Sequence, residues 1–143
     1  MIRYLLDTNI ISEPAKSDPA EGVLRRLRER GGEVALPSVV WHELVYGARR
    51  MDEGRRRSYL LEYLTDVVRP SMPILPYDAA AARWHGRARA LLEKEGLSTP
   101  FADGQIAGIA GAEGLTVVTE NTSDFQPFAD LDSGIQVENW FAE

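Results

Sequence analysis

Short apolar segments alternate with helix-like segments from one end of the chain to the other. Strand-like composition covers residues 3–6, 34–36, 74–75, 115–119 and 134–138, and helical patterns lie between these segments. Parallel strands need long crossover connections, usually helices, whereas antiparallel strands can be joined by short turns. The order therefore predicts an α/β fold built on a central parallel sheet of about five strands.

Helix boundaries are marked by capping residues and by apolar spacing. We predict helices over residues 19–30, 38–49, 54–66 and 79–94, with Ser38 and Asp78 as N-caps, and a further helix with Thr99 as N-cap and Pro100 at its first position. Prolines at 70, 73 and 76 exclude a helix across that stretch. Two helices have apolar stripes, formed by Leu60, Tyr63, Leu64 and Val67 and by Ala81, Trp84, Ala88, Leu91 and Leu92.

The length of 143 residues fits one domain, residues 1–143, with one hydrophobic core. The composition, 44% hydrophobic and 27% charged, is that of a globular rather than a disordered chain. The N-terminal apolar segment meets Asp7 at once and is too short for a signal peptide or a membrane span. We therefore expect a cytoplasmic protein with no membrane association.

Polar side chains follow or adjoin the apolar segments at four separate places. Asp7 follows the first strand, Glu43 lies early in the helix after the second, and Asp103 lies in the first turns of its helix. The turn 119–124, which contains Asn121 and Asp124, follows the segment 115–118. Because ligands of open parallel sheets bind beyond the carboxyl ends of the strands, these groups are candidates for one site.

Carboxylates gathered in one place repel each other unless a cation compensates their charge. The chain contains no cysteine, so a metal site must use oxygen ligands, which favours Mg²⁺ or Mn²⁺. Each acid also has a structural explanation. Asp7 and Asp124 could cap turns, Asp103 could complement a helix N-terminus, and Glu43 could pair with Arg50 on the surface.

The net charge of −6 does not by itself favour a polyanionic partner. Basic residues are nevertheless clustered in two segments, and either cluster could contact phosphates or form a solvated helix face. The clusters are Arg25, Arg26, Arg28 and Arg30, and Arg49, Arg50, Arg55, Arg56 and Arg57.

Four motifs occur in order along the chain: LDTNIISE at 6–13, WHELVYG at 41–47, ADGQIA at 102–107 and VTENTSDF at 118–125. Together they resemble the PIN-domain ribonucleases, most closely the VapC/FitB-like toxins of type II toxin-antitoxin pairs. The resemblance spans essentially the whole chain. It implies a three-layer α/β/α fold, a Mg²⁺- or Mn²⁺-dependent site that cuts RNA, a small VapB-like antitoxin partner and a homodimer.

Carried over to this sequence, the resemblance implies catalytic roles for Asp7, Glu43, Asp103 and Asp124. It implies Asp7, Glu43, Asp103 and Asn121 as metal ligands. Asn121 stands where relatives commonly have an acid, and Glu120 stands where many have a basic residue. Thr8, Asn9 and Thr119 are expected to orient the ligands through hydrogen bonds. His42 and His85 share no motif and are expected to pack or lie on the surface.

Two other functions fit part of this pattern. A metal-dependent phosphatase can also place an aspartate after the first strand, but the second aspartate expected two residues later is Asn9 here. A catalytically silent binding module could accept an arginine from a partner in its acidic groove. A nucleotide-binding ATPase is disfavoured, because the chain has no glycine-rich phosphate loop ending in Lys-Ser or Lys-Thr.

Overall fold

A central parallel sheet organises the chain, as the alternation of segments predicts. The computed structural model describes residues 1–142, in which five strands lie in the order β3-β2-β1-β4-β5 and all neighbouring pairs are parallel. Leu5 of the central strand β1 is in register with Ala35 of β2 and with Val117 of β4. Within the described part of the chain, no helix is long and apolar enough to cross a membrane.

The elements follow the predicted order with small shifts at their ends. The strands are β1 (Tyr4–Leu6), β2 (Val34–Pro37), β3 (Ile74–Leu75), β4 (Thr116–Val118) and β5 (Gln136–Glu138). The helices are α1 (Thr8–Ile11), α2 (Glu21–Arg30), α3 (Ser38–Arg49), α4 (Arg55–Glu62), α5 (Arg69–Ser71), α6 (Ala79–Lys94), α7 (Phe101–Glu113) and α8 (Thr122–Ala129). Single 3₁₀ turns cover Glu13–Ala15 and Gly31–Glu33, and a π-helix covers Tyr63–Val68.

The core lies on both faces of the sheet. Leu5 and Leu6 point to opposite faces of β1, and both are fully buried. Burial of both faces requires helices on both sides, which is the three-layer α/β/α arrangement. Phe125, Phe128 and Trp140 are among the largest fully buried side chains, so the C-terminal third of the chain closes the core.

Two of the predicted N-caps are wrong. Pro37 and not Ser38 precedes α3, and Pro100 and not Thr99 precedes α7; neither cap residue makes a side-chain hydrogen bond. The prolines adopt the extended backbone that an N-cap position needs, so relative to the predicted N-caps α3 begins one residue earlier and α7 begins one residue later. Asp78 is an N-cap as predicted, and its side chain accepts from the backbone N–H of Ala81.

Short helices occupy two segments that we expected to be turns. Residues 8–11 form α1 directly after Asp7, and residues 122–129 form α8 in place of the turn before Phe125. The four residues of α1 are too few to show an apolar period. Pro127 lies inside α8, and a proline in a segment argues against a helix there. Pro70 is likewise tolerated in the short helix α5, near its first position, which corrects the exclusion of helix at this proline.

The π-helix changes which apolar residues face the core. Val67 was predicted to continue the stripe of Leu60 and Leu64, but it is 50% exposed while Val68 is buried. The wider π turn shifts the register, so the next inward position falls one residue later. In α6, Leu91 is 42% exposed and Leu92 is buried, so Leu91 does not belong to the buried stripe that was predicted for this helix.

Glycines allow α6 and α7 to pack closely. A Cβ added at Gly104 would lie 2.0 Å from His85 Nε2, and one at Gly108 would lie 2.6 Å from the carbonyl oxygen of Ala81. These distances are shorter than van der Waals contact, so only glycine fits at both positions. The close contact with α6 fixes the position of α7, and α7 carries Asp103.

Candidate functional site

The site begins where β1 and β4 end side by side. The strand order runs outward from β1 through β2 to β3 on one side and through β4 to β5 on the other, so the connections diverge between β1 and β4. Such a point is where open parallel sheets form a ligand crevice. Asp7 follows β1 here, and its backbone N–H donates to the carbonyl of Val118 at 2.9 Å.

Three hydrogen bonds hold the carboxylate of Asp7. The backbone N–H of Thr8 donates to Oδ1 at 2.8 Å, and the Thr119 hydroxyl donates to Oδ2 at 2.8 Å. The Asn9 side-chain amide donates to Oδ2 at 3.4 Å. Burial raises the pKa of Asp7, the three donors oppose that rise, and the charge of Asp124 adds to it. The carboxylate is therefore fixed in direction while its negative charge is poorly compensated.

Thr119 and Asn9 join the ends of the two strands. The fully buried Thr119 accepts from the backbone N–H of Asn121 at 3.0 Å while it donates to Asp7. The Asn9 side-chain oxygen accepts from the backbone N–H of Glu120 at 2.9 Å. The loop after β4 is thus tied to the loop after β1.

Removing the Thr119 hydroxyl tests this orientation. We expect Thr119→Val to lower any activity of the site by about 10- to 100-fold, because outer hydrogen bonds to ligating carboxylates have effects of that size. Thr119→Ser keeps the hydroxyl and should retain most of the activity. Initial rates and thermal melting of both variants measure the effect. Equal rates for the valine and serine variants would contradict the role given to this hydrogen bond.

Asp103 faces the same crevice from α7. It lies half-buried in the first turn of that helix, on the same face as the buried residues Ile106, Ala107 and Ala110. Burial raises the pKa of Asp103 to about 6, and the charges of Asp7 and Asp124 contribute to the rise. Asp7 and Asp124, from distant parts of the chain, therefore lie close enough to Asp103 to oppose its ionisation.

Glu43 and Asn121 lie at the edge of this group. Glu43 is exposed on α3 and contributes to the pKa shift of neither Asp7 nor Asp103. It lines a cavity together with Thr8, next to Asp7 in sequence. The ion pair with Arg50, an alternative explanation for Glu43, is not among the ion pairs of residues 1–142. Asn121 precedes α8 with an exposed side chain that makes no capping hydrogen bond.

The donor set fits a hard divalent cation that keeps part of its water shell. No group of three or more His, Cys, Asp or Glu side chains in residues 1–142 is arranged as a ready-made metal cage. Mg²⁺ does not require one, because it commonly binds one or two carboxylates and retains several waters. Asp7 and Asp103 supply oxygen atoms whose charge a cation would compensate: burial is the main cause of the raised pKa of each, the charge of Asp7 adds to the rise at Asp103, and the charge of Asp124 adds to the rise at both.

Glu13 and Lys16 are polar residues near the site to which the sequence reasoning gave no role. Glu13 is buried, lies 2.9 Å from the Lys16 ammonium, and accepts from the backbone N–H of Ala20 at 2.8 Å. Glu13 and, more weakly, Glu120 raise the pKa of Lys16, which places this cation near the loop after β4. The i, i+3 spacing of opposite charges was the available signal.

The two histidines lie outside the acidic group, as predicted. His85 is buried between α6 and α7, with Nδ1 2.8 Å from the Tyr77 hydroxyl. Burial lowers its pKa, so it is a neutral packing residue at physiological pH. His42 is exposed and packs edge-on against Tyr46.

Comparison with known proteins identifies a family whose model matches most of this chain. The family model described as PIN domain matches residues 4–131. A relative from Shigella flexneri, the tRNA(fMet)-specific endonuclease VapC, is 34% identical over 140 residues, covering 98% of this chain and 99% of that protein.

Solved structures agree with the fold over nearly the full length. The crystal structure of FitAcB from Neisseria gonorrhoeae superposes with a TM-score of 0.87 at 31% identity and covers 98% of this chain and 99% of that one. DNA-bound VapBC from Salmonella typhimurium gives a TM-score of 0.79 at 30% identity, with 98% and 99% covered.

Proposed function

Because the chain belongs to the PIN-domain family and to its VapC/FitB toxin branch, we propose that it is a metal-dependent endoribonuclease of a toxin-antitoxin pair. The observation that carries the proposal is the convergence of Asp7, Asp103 and Asp124 at the carboxyl ends of β1 and β4.

Asp7 and Asp103 are the residues we assign to Mg²⁺ or Mn²⁺, with Asn121 and Glu43 as further oxygen donors at the edge. A bound cation of this kind polarises a phosphoryl oxygen and lowers the pKa of a bound water. Thr8, Asn9 and Thr119 fix the direction of the Asp7 oxygens through the hydrogen bonds described above. The ligands therefore need little reorganisation when substrate arrives.

Asp124 is the group we assign to proton transfer. It is exposed in the first turn of α8 and close enough to Asp7 and Asp103 to raise the pKa of each. From this position its carboxylate can accept a proton from the attacking water, while Asp7 and Asp103 hold the cation. By the family resemblance, the cut leaves a 5′ phosphate and a 3′ hydroxyl.

The antitoxin partner is also part of the proposal. Similar solved structures include VapBC and FitAcB, and the resemblance implies a VapB-like partner and a homodimer. An acidic crevice is suited to receive a basic side chain from such a partner, which would occupy the place of the cation and prevent cleavage. The same chemistry describes the silent binding module, so turnover has to be measured.

Removal of divalent metal tests the proposal directly. We expect the purified protein to cut total cellular RNA with Mg²⁺, to lose that activity in EDTA, and to regain it when Mg²⁺ or Mn²⁺ is added back. Asp7→Asn should be inactive, and mapping of the cut ends should show 5′ phosphates. Hydrolysis of p-nitrophenyl phosphate but not of RNA would support a phosphatase instead. RNA cleavage that persists in EDTA would contradict the metal site.

A further inference from the structure

A cavity of about 260 Å³ opens beside the acidic group. It lies between the α1 segment, α3, α4 and the start of the π-helix, and its lining includes Thr8 and Glu43. Thr8 directly follows Asp7, so the cavity begins one residue from the central carboxylate. We call it the side cavity.

The interior of the side cavity is apolar. Its walls include Leu44, Ala48, Leu60 and Leu64. Two of its three hydroxyl-bearing residues already have partners: Ser12 Oγ donates to the carbonyl of Thr8 at 2.6 Å, and the Tyr63 hydroxyl donates to the carbonyl of Ile11 at 2.6 Å. The interior therefore suits a flat apolar ring better than a polar group that needs new hydrogen bonds.

Two cations line the side cavity, although the chain as a whole is acidic. The Lys16 side chain is 59% exposed, and its Nζ lies 2.9 Å from Glu13 Oε1. The exposed Arg56 donates from Nη1 to the carbonyl of Ala15 at 3.3 Å, and its guanidinium lies 5.8 Å from the ring centroid of Tyr59. These contacts hold both cations in place and leave other N–H groups free for an anion.

We propose that the side cavity binds one unpaired nucleobase of the RNA, next to the phosphate that is cut, and that Lys16 and Arg56 contact the adjoining phosphates. This inference rests on the proposed function and names its substrate subsite. A nucleotide joins a flat ring to an anion, which matches apolar walls beside two cations and an acidic metal site. Bases in a duplex are stacked and paired, so the subsite selects single-stranded or unstacked RNA.

Gly47 offers a way to fill the side cavity without disturbing the fold. It lines the cavity, and a Cβ added there has no atom within 4 Å. Gly86 in α6 has equally open space and lies outside the cavity, so Gly86→Leu is the matched control for Gly47→Leu. Binding of a short fluorescent single-stranded RNA is measured without divalent metal. Cleavage of the same RNA is measured with Mg²⁺.

We expect Gly47→Leu to weaken RNA binding by about 10-fold, the size of a lost base-stacking contact, and Gly86→Leu to bind as the wild type does. Arg56→Gln, at an exposed position, is a second variant that does not depend on filling the cavity. With this variant, the slope of log binding affinity against log salt concentration should become shallower by the contribution of about one phosphate contact. The same measurement is made with a set of RNAs that each lack the base at one position. At one of these positions, removal of the base should weaken binding to the wild type but not to Gly47→Leu.

The outcomes separate this inference from the proposed function. If Gly47→Leu and Arg56→Gln both bind RNA as the wild type does, the subsite is overturned. The side cavity is then assigned to a protein partner instead. Absence of any RNA binding also overturns it. Binding with the expected base and variant dependence, but no cleavage with Mg²⁺, supports the subsite and refutes the nuclease assignment.

Discussion

Asp103→Asn should abolish RNA cleavage and at the same time stabilise the metal-free protein at neutral pH. We expect activity to fall by about 1,000-fold or more, because several kcal/mol of transition-state stabilisation depend on the bound cation. An asparagine keeps the shape of the side chain and one oxygen but removes the charge. Initial rates on RNA with saturating Mg²⁺ measure the loss.

The gain in stability follows from the pKa of Asp103. Folding raises it from 3.8 to about 6, so the folded state binds more protons than the unfolded state between these values. The wild type is therefore relatively more stable at low pH, and the full penalty of the charged carboxylate is present above pH 6. The pKa shift corresponds to about 3 kcal/mol at most, and solvent screening at a half-buried site reduces the expected penalty to about 1 kcal/mol.

Thermal melting in EDTA tests the sign of this effect. At about pH 8, Asp103→Asn should melt a few degrees above the wild type, and at about pH 4 the difference should vanish because both side chains are then neutral. Asp52→Asn, in the exposed loop between α3 and α4, is the control and should change neither rate nor melting temperature. An active Asp103→Asn protein would remove Asp103 from the mechanism. A stability difference that does not change with pH would contradict the electrostatic explanation.

Gly108→Ala should strongly destabilise the fold. The added Cβ would lie 2.6 Å from the Ala81 carbonyl oxygen and 3.0 Å from His85 Cβ, so the backbones of α6 and α7 would have to separate. Overpacking against a backbone atom cannot be relieved by a rotamer change, and we expect a loss of about 3 kcal/mol in the free energy of unfolding. Urea denaturation of the wild type and of Gly108→Ala measures the loss.

Gly86→Ala is the matched control for this prediction. Gly86 lies on α6 with no atom within 4 Å of an added Cβ, so the same substitution should stabilise that helix by about 0.5–1 kcal/mol. The opposite signs distinguish helix packing from helix propensity. Similar destabilisation by both variants would show that the close approach at Gly108 is not the cause.

The sequence located the acidic residues but not their relative positions. Asp7 was predicted from its place after the first strand and Asp103 from its place in the first turns of a helix, and the structure brings both together with Asp124. Glu43 received the same weight from its motif, yet it is exposed and lines the side cavity. Spacing along the chain cannot distinguish these cases, because the direction of a side chain depends on how its helix packs.

Local signals failed where short elements or a changed helical turn intervened. α1 and α8 were missed because neither shows a full apolar period, and α8 contains a proline. The π-helix at Tyr63–Val68 exposes Val67 and buries Val68, a change that no regular period predicts. It also begins at the tyrosine that bonds to α1 and lines the side cavity.

The alternation of apolar and helical segments by itself determined the parallel α/β fold, because burial of both sheet faces requires nearly continuous apolar strands joined by helices. The absence of cysteine and the position of each acid likewise limited a metal site to oxygen ligands. Only the tertiary structure decided that β4 lies beside β1, that Thr119 bonds Asp7, and that an apolar cavity adjoins the acids. These are contacts between residues far apart in sequence, and packing of the whole core sets them.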